Sequence, residues 1–514
     1  LNQQVLFELK NDITCLQRDF LRSKSMKVRK SLGQFFTGSV VSNYMASLLS
    51  NPKSETIRIL DAGAGTGILT ASTALYFLDT GCKTVHAVLY ELDSDALINL
   101  EETLKIVRDA FKLQQATFTY DIYCEDFVLT RPDKDKSIQS FDVSVINPPY
   151  FKYSAKESPY AKATADLYKG DPNIYASFMA VALACLRDKG QMVTITPRSF
   201  ANGLYFKGFR AYLLSKLSLE LVHIFKHRGK VFNSEESSVL QENIICYFVK
   251  GGVSNTITVR SSYCDLQINS AKEGKHPVDL IIDSSNDQKF IRIPESDNEA
   301  NILNQAESLE TTFEKAGYFI STGRVVEHRT RGYITTNTDT ENTVPLYRPH
   351  NITPLTATWT GEHKKEVSFI LKGGYAKHII ENNTYLLLKR FSPKDEKRRL
   401  IAGVHLANKH TCKLIGFGNK TNYIGVTNDK LSATEAYGLA AVFNSSFMDK
   451  YFRCISGNTQ VNATEIRTMK FPGRDQVKEM GKQVQKLKTF DTTKIDLIVN
   501  QILGVISSSI RGEN

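Results

Sequence analysis

Four short apolar runs, at residues 57–60, 85–90, 118–124 and 141–146, alternate with stretches that carry helical spacing, such as 96–112. This alternation constrains the fold more than any other feature of the chain. Strands separated by helices pair in parallel, because each crossover helix carries the chain back to the same end of the sheet. A helix near 174–186 and a strand at 191–196 continue the pattern. With 514 residues the chain is too long for one compact core, so several domains are expected. The alternation defines one of them, at residues 31–255. Residues 1–30 read as a helical lead-in that ends in a basic run. After about residue 250 the texture changes to short strand-like pieces, turns and polar stretches. A second α+β domain is expected at 256–475, followed by a helical tail at 476–514.

Composition narrows the class of chain. Hydrophobic residues make up 41% and charged residues 23%, which fits a globular protein. No apolar run approaches the roughly 20 residues that span a bilayer, and residues 1–10 lack the layout of a signal peptide. A cytoplasmic protein without a membrane partner is expected. None of the eight cysteines sits in a Cys-x-x-Cys pair, so neither disulfides nor a metal site is expected. The net charge of +11 suits a polyanionic partner, since Lys and Arg displace counterions from phosphates.

The first chemical motif is Asp61-Ala62-Gly63-Ala64-Gly65-Thr66-Gly67, placed after a strand and opening a helix. Glycines let the backbone turn sharply and approach a ligand without a Cβ in the way. The helix start offers free N–H groups to an anionic ligand. Glu91 ends the next strand, where a carboxylate can accept from both hydroxyls of a ribose. Dinucleotide enzymes and methyltransferases share this pairing of loop and acid, so it does not separate them. The third strand ends at Asp126 and Phe127, an acceptor for an adenine amino group and a ring to pack on the base.

The fourth strand ends in Asn147-Pro148-Pro149-Tyr150, which names the chemistry. Two prolines cannot continue a sheet, and they fix a rigid extended turn. The Asn147 side chain and the Pro148 carbonyl can then both accept from one –NH2 group. The amino nitrogen of a nucleobase has its lone pair delocalised into the ring. Hydrogen bonds to both protons favour a tetrahedral nitrogen and free that pair to attack a methyl sulfonium. Tyr150 can stack on the base.

These motifs and their order resemble the gamma-group, TaqI-type adenine DNA methyltransferases of bacterial restriction–modification systems. The stretch Leu32-Gly33-Gln34-Phe35-Phe36-Thr37-Gly38 resembles the family's motif before the glycine loop. The resemblance implies S-adenosylmethionine as cofactor, with Thr37 at its methionine end and Asp61, Gly63 and Gly65 in the binding loop. It sets Glu91 on the ribose, and Asp126 with Phe127 on the adenine. Asn147, Pro148 and Tyr150 become the catalytic residues. Residues 171–178 resemble the helix after the catalytic loop, and Phe232, with Tyr150, the aromatics that stack on a flipped target base. The implied fold is a Rossmann-like methyltransferase domain followed by an α+β target-recognition domain.

The implied partners are double-stranded DNA with a specific recognition sequence and a cognate restriction endonuclease. The second half offers residues suited to DNA: Arg324, Arg329, Lys389, Arg390, Arg398, Asn458 and Gln460. Lys and Arg suit phosphates, while Asn, Gln and Arg can read base edges. Asp395-Glu396-Lys397 fits the end of a nuclease site, but no acidic partner on a preceding strand is evident, and it reads as a charged turn. Enzymes that methylate RNA adenine or a protein glutamine amide also use Asn-Pro-Pro-Tyr. The large C-terminal half favours DNA. A dehydrogenase would want Gly-x-Gly-x-x-Gly, and a non-catalytic module would have no need of an intact Asn-Pro-Pro-Tyr.

Overall fold

The computed structural model describes residues 3–25, 36–135, 140–154, 157–170, 173–226, 242–284, 287–337, 342–392, 396–457, 459–487 and 490–505. Phe232 and Asn458 lie outside the described residues. The chain forms two compact units, Leu1–Ser296 and Asp297–Asn514. Among the described residues, no helix is long and apolar enough to cross a membrane.

The first unit is built on a nine-stranded sheet. Its strands are β1 (Ile57–Ala62), β2 (Thr84–Tyr90), β3 (Thr117–Tyr123), β4 (Phe141–Ile146), β5 (Leu186–Pro197), β6 (Leu217–Phe225), β7 (Asn243–Lys250), β8 (Thr256–Ser262) and β9 (Lys272–Pro277). Their spatial order is β3-β2-β1-β4-β5-β7-β6-β8-β9. The pairs from β3 to β5 are parallel, as the alternation predicts. The pairs of β7 with β5 and with β6 are antiparallel.

Helices cover both faces of the sheet. They include α1 (Gln3–Ser23), α2 (Ser39–Ser47), α3 (Ile68–Asp79), α4 (Ser94–Leu113), α5 (Phe127–Thr130), α6 (Pro159–Ala163), α7 (Ile174–Cys185) and α8 (Lys207–Lys216). Strand residues alternate between the faces. Ile57 and Ile59 of β1 join one apolar cluster with α2, α3 and α4, while Leu60 and Ala62 join another with α7. All six residues of β4 are buried, as a strand covered on both faces requires.

The boundary expected at 255/256 is corrected to 296/297. β8 runs parallel to β6, and β9 pairs with β8, so both extend the first sheet. β9, Lys-Glu-Gly-Lys-His-Pro, is polar because an edge strand needs only one paired neighbour and charges discourage further pairing. The lead-in is likewise part of the first unit. α1 packs on α3 and α4, and Asn99 of α4 donates to the Leu16 carbonyl at 3.3 Å.

The second unit contains two mixed sheets. One has six strands in the order Tyr318–Thr322, Thr421–Val426, Tyr385–Lys389, Ala402–His405, Leu355–Ala357, Ile352–Thr353. The other has five, centred on Thr343–Tyr347 between Val367–Ile370 and Leu414–Phe417. The helices Ala433–Asn444 and Arg474–Val484 cross closely through glycines. A Cβ on Gly438 would fall 1.8 Å from the Val477 carbonyl oxygen, and one on Gly481 would fall 1.8 Å from that of Thr434. The tail expected to stand apart from residue 476 therefore belongs to this unit's core.

Candidate active site

β1 and β4 are neighbours, and each has its next strand on the opposite side, so the sheet order reverses between them. In open α/β sheets ligands bind outside the carboxyl ends of the strands at such a reversal. The glycine loop leaves β1 and the Asn-Pro-Pro-Tyr turn leaves β4, which brings the two principal motifs together. A Cβ on Gly63 would lie 3.6 Å from the Phe178 ring and 3.9 Å from Pro149.

The glycine loop needs its glycines. Gly63, Gly65 and Gly67 have φ of 80°, 55° and 82°, a region that other residues enter only at a cost. A Cβ on Gly65 would come within 2.9 Å of the Phe36 ring, so the loop also admits the segment before α2. The Gly63 and Ala64 amides donate to the Tyr90 carbonyl at 2.8 and 3.0 Å.

Three acidic residues stand at the carboxyl ends of β1, β2 and β3. Asp61 is fully buried, and Thr70 donates to its Oδ2 at 2.7 Å. Its Oδ1 is buried with no hydrogen-bond partner. Burial, with the nearby Glu91 charge adding, raises the Asp61 carboxyl to about 7. Glu91 is also buried; it accepts from the Gly65 amide at 2.7 Å and the Asp93 amide at 2.8 Å. Burial raises its carboxyl too, partly offset by those backbone donors. Asp126 caps α5, accepting from the Val128 and Leu129 amides at 3.0 and 3.1 Å, while Tyr160 donates to its other oxygen at 2.8 Å. Phe127, expected to pack on a ligand ring, is a core residue here. It is 1% exposed and packs against Tyr90 and Phe178, at 5.2 and 5.6 Å between ring centres.

At the second motif, Asn147 Nδ2 donates to Thr37 Oγ1 at 2.9 Å. The Tyr150 hydroxyl lies 2.7 Å from Asn147 Oδ1 and 3.0 Å from the Ile195 carbonyl, which share its proton. Burial holds the Tyr150 phenol far above its usual range, so that proton stays in place. Its ring, expected against a base, is 9% exposed and stands edge-on to Tyr175 at 6.2 Å. Pro148 is buried. Thr37, expected at the cofactor, is 3% exposed, and its hydroxyl meets Asn147.

Sequence reasoning missed Tyr160 and Gln17. Gln17 of α1 donates to the Thr37 carbonyl at 3.0 Å. A helix-start signal, Ser158-Pro159, stood beside Tyr160, but nothing in the sequence marks Gln17.

The expected DNA-binding residues fall in the second unit. Arg324 and Arg329 are exposed. Arg390 donates to the Asn419 carbonyl at 3.0 Å and to Gln460 Oε1 at 3.3 Å, so two of the expected residues meet. Lys389 ends a strand beside them, half-buried. Arg398 binds the Asn444 carbonyl and the Ser446 hydroxyl, which gives it a structural task within this unit.

The sheet, the glycine loop and the Asn-Pro-Pro-Tyr turn together define the Rossmann-like methyltransferase class. The family model for Eco57I restriction-modification methylases matches residues 73–232. The chain is 34% identical to the type II methyltransferase M.PstI of Providencia stuartii over 93% of its length and 94% of that protein. It is 33% identical to the type II methyltransferase M.BsuBI of Bacillus subtilis, over 93% and 95%. Its fold resembles the type IIL restriction-modification enzyme MmeI, solved in complex with DNA. There the TM-score is 0.57 at 10% identity, covering 98% of this chain and 76% of the other. The chain belongs to the type II methyltransferases of restriction–modification systems.

Proposed function

We propose that this chain is a sequence-specific DNA methyltransferase that transfers the methyl group of S-adenosylmethionine to the exocyclic N6 amino group of a flipped adenine. In the cytoplasm it protects host DNA from a cognate restriction endonuclease. The observation that carries this reading is the setting of Asn147. Its carboxamide sits at the carboxyl end of β4 beside the glycine loop, and its Oδ1 already accepts a proton from a hydroxyl. An amino proton in that position would meet the same acceptor.

The residues present fit the cofactor. The Asp61 Oδ1 is a buried acceptor without a partner, Glu91 stands one strand over, and the glycine loop with its left-handed backbone runs between them. When bound, S-adenosylmethionine supplies an electrophilic methyl group on a sulfonium. Asp61, Gly63, Gly65, Glu91 and Asp126 would hold it, with Phe127 behind Asp126. Asn147 Oδ1 and the Pro148 carbonyl would accept hydrogen bonds from the two amino protons and free the nitrogen lone pair. As the N–C bond to the methyl forms and its S–C bond breaks, one amino proton is released to solvent. Extrusion of the base is required because its amino nitrogen cannot be reached inside a duplex. Tyr150 and Phe232 stack on the extruded base, so the Tyr150 ring has to leave its edge-on place against Tyr175. Positioning and fixed dipoles supply the rate. The second unit recognises the target through Arg324, Arg329, Lys389, Arg390, Arg398, Asn458 and Gln460.

The test is single-turnover methylation of unmethylated plasmid DNA with radiolabelled S-adenosylmethionine, followed by nucleoside analysis of the product. Label should appear in N6-methyladenine. Asn147→Ala should lower the rate about 100- to 1000-fold, as loss of a preorganised polar contact does. Calorimetric cofactor binding should stay intact. Label in another nucleoside, or an Asn147→Ala rate near wild type, would overturn the reading.

A further inference from the structure

A carboxamide is a flat group with an acceptor at one end and a donor at the other, and catalysis uses only the acceptor of Asn147. The donor end has to be held so that Oδ1 keeps facing the substrate. In this structure the buried hydroxyl of Thr37 takes part in that task, accepting from Asn147 Nδ2 at 2.9 Å.

Thr37 is itself fixed from two directions. Gln17, buried in α1, donates to its carbonyl at 3.0 Å. The neighbouring Phe36 ring lies over Gly65 and meets Phe20 of α1 edge-on, with 5.5 Å between ring centres. The segment before α2 is thus clamped between the N-terminal helix and the glycine loop. A hydrogen bond donated by Nδ2 also pushes its lone pair into the amide, which makes Oδ1 more negative and a better acceptor.

We propose that Thr37 is a positioning residue for methyl transfer. Its hydroxyl orients the Asn147 carboxamide toward the target amino group, and α1 holds it there through Gln17. This assigns Thr37 to the acceptor side of the site, whereas its resemblance-based role is a contact with the cofactor. The inference rests on the reading of Asn147 as the acceptor for an amino group.

The two roles separate in Thr37→Val, which keeps the shape and removes the hydroxyl. Single-turnover methylation of unmethylated plasmid DNA and calorimetry of S-adenosylmethionine binding are measured on the full-length protein. Loss of one neutral hydrogen bond should slow turnover about three- to tenfold at saturating cofactor. Cofactor affinity should be unchanged. Thr37→Ser, which restores the hydroxyl, should recover most of the rate. In an Asn147→Ala background, Thr37→Val should cost nothing further, because a residue that acts through Asn147 has nothing left to orient.

Weakened cofactor binding by Thr37→Val with unchanged turnover at saturation would overturn the inference and return Thr37 to the cofactor. A further loss of rate in the Asn147→Ala background would overturn it too. So would failure of Thr37→Ser to recover the rate, since a purely packing role would tolerate Val better than Ser. If Asn147→Ala itself methylates at the wild-type rate, the reading of Asn147 fails, and that result is separate from any on Thr37.

Discussion

Asp61 places an ionisable group where water does not reach, and this gives the protein a pH-dependent stability that one substitution should remove. Its carboxyl is raised from 3.8 to about 7 by burial, with the Glu91 charge adding to it. Unfolding returns the group to water and to its ordinary value. Between those two values the folded state binds a proton that the unfolded state releases, so stability falls as pH rises. The contribution is fully present below about pH 4 and is lost as pH climbs through about 7. Integrating the linkage relation from pH 5 to pH 8 gives a loss of about 2–3 kcal/mol from this residue. Asp61→Asn cannot ionise and should lack that part of the slope. Glu91, raised in the same direction, contributes its own slope to both proteins, so the difference between them isolates Asp61. The absolute stability of Asp61→Asn is less informative, because the new amide adds a donor in a buried place. The assay is thermal unfolding of the first unit without cofactor, followed at pH 5, 6, 7 and 8. Wild type should lose several degrees more than Asp61→Asn between pH 5 and 8, at roughly 2–4 °C per kcal/mol for a unit of this size. Parallel pH profiles for the two proteins would refute the argument from burial.

Two further outcomes follow from the site and from the second unit. Glu91→Ala should weaken S-adenosylmethionine binding by about 1.5–3 kcal/mol in calorimetry, the range for hydrogen bonds to a charged acceptor, while DNA affinity stays as it was. Arg390→Ala should weaken binding to a cognate duplex by about 1–3 kcal/mol more than to an unrelated duplex in titrations at fixed salt; an equal loss on both would make it a phosphate contact.

The parts of this molecule that were legible in its sequence are those encoded by local chemistry. β4 spans the expected 141–146, β1, β2 and β5 each contain their apolar runs, and β3 holds all of 118–124 except Cys124. The central strands were readable because buried parallel strands are apolar on both faces. The glycine loop and the Asn-Pro-Pro-Tyr turn were legible for a related reason. Left-handed backbone and rigid turns restrict residue type wherever they occur. β6 went unread because it continues from α8 at Leu217 with no glycine or proline between them. β8 and β9 read as the start of another domain because β8, Thr-Ile-Thr-Val-Arg-Ser-Ser, has only two aliphatic residues and β9, at the sheet edge, is polar throughout. Contacts between distant residues left no trace. Thr37 and Asn147 stand 110 positions apart, and nothing in either segment announces the other. The inward place of the Tyr150 ring was equally hidden, since it depends on Ile195 at the end of β5 and on Tyr175 in α7.

The central strand pair also governs how this protein acquires its site during synthesis. β1 emerges early, but its partner β4 follows only after α3, β2, α4 and β3 have been made. Closing that interval costs chain entropy before the pairing returns anything, which makes it a slow, non-local event in folding. The glycine loop and the Asn-Pro-Pro-Tyr turn sit on opposite sides of that closure. A chain in which β1 and β4 have not yet paired can fold its glycine loop against the end of β2 but lacks the Asn-Pro-Pro-Tyr turn beside it, so the site is complete only once the central pair has closed.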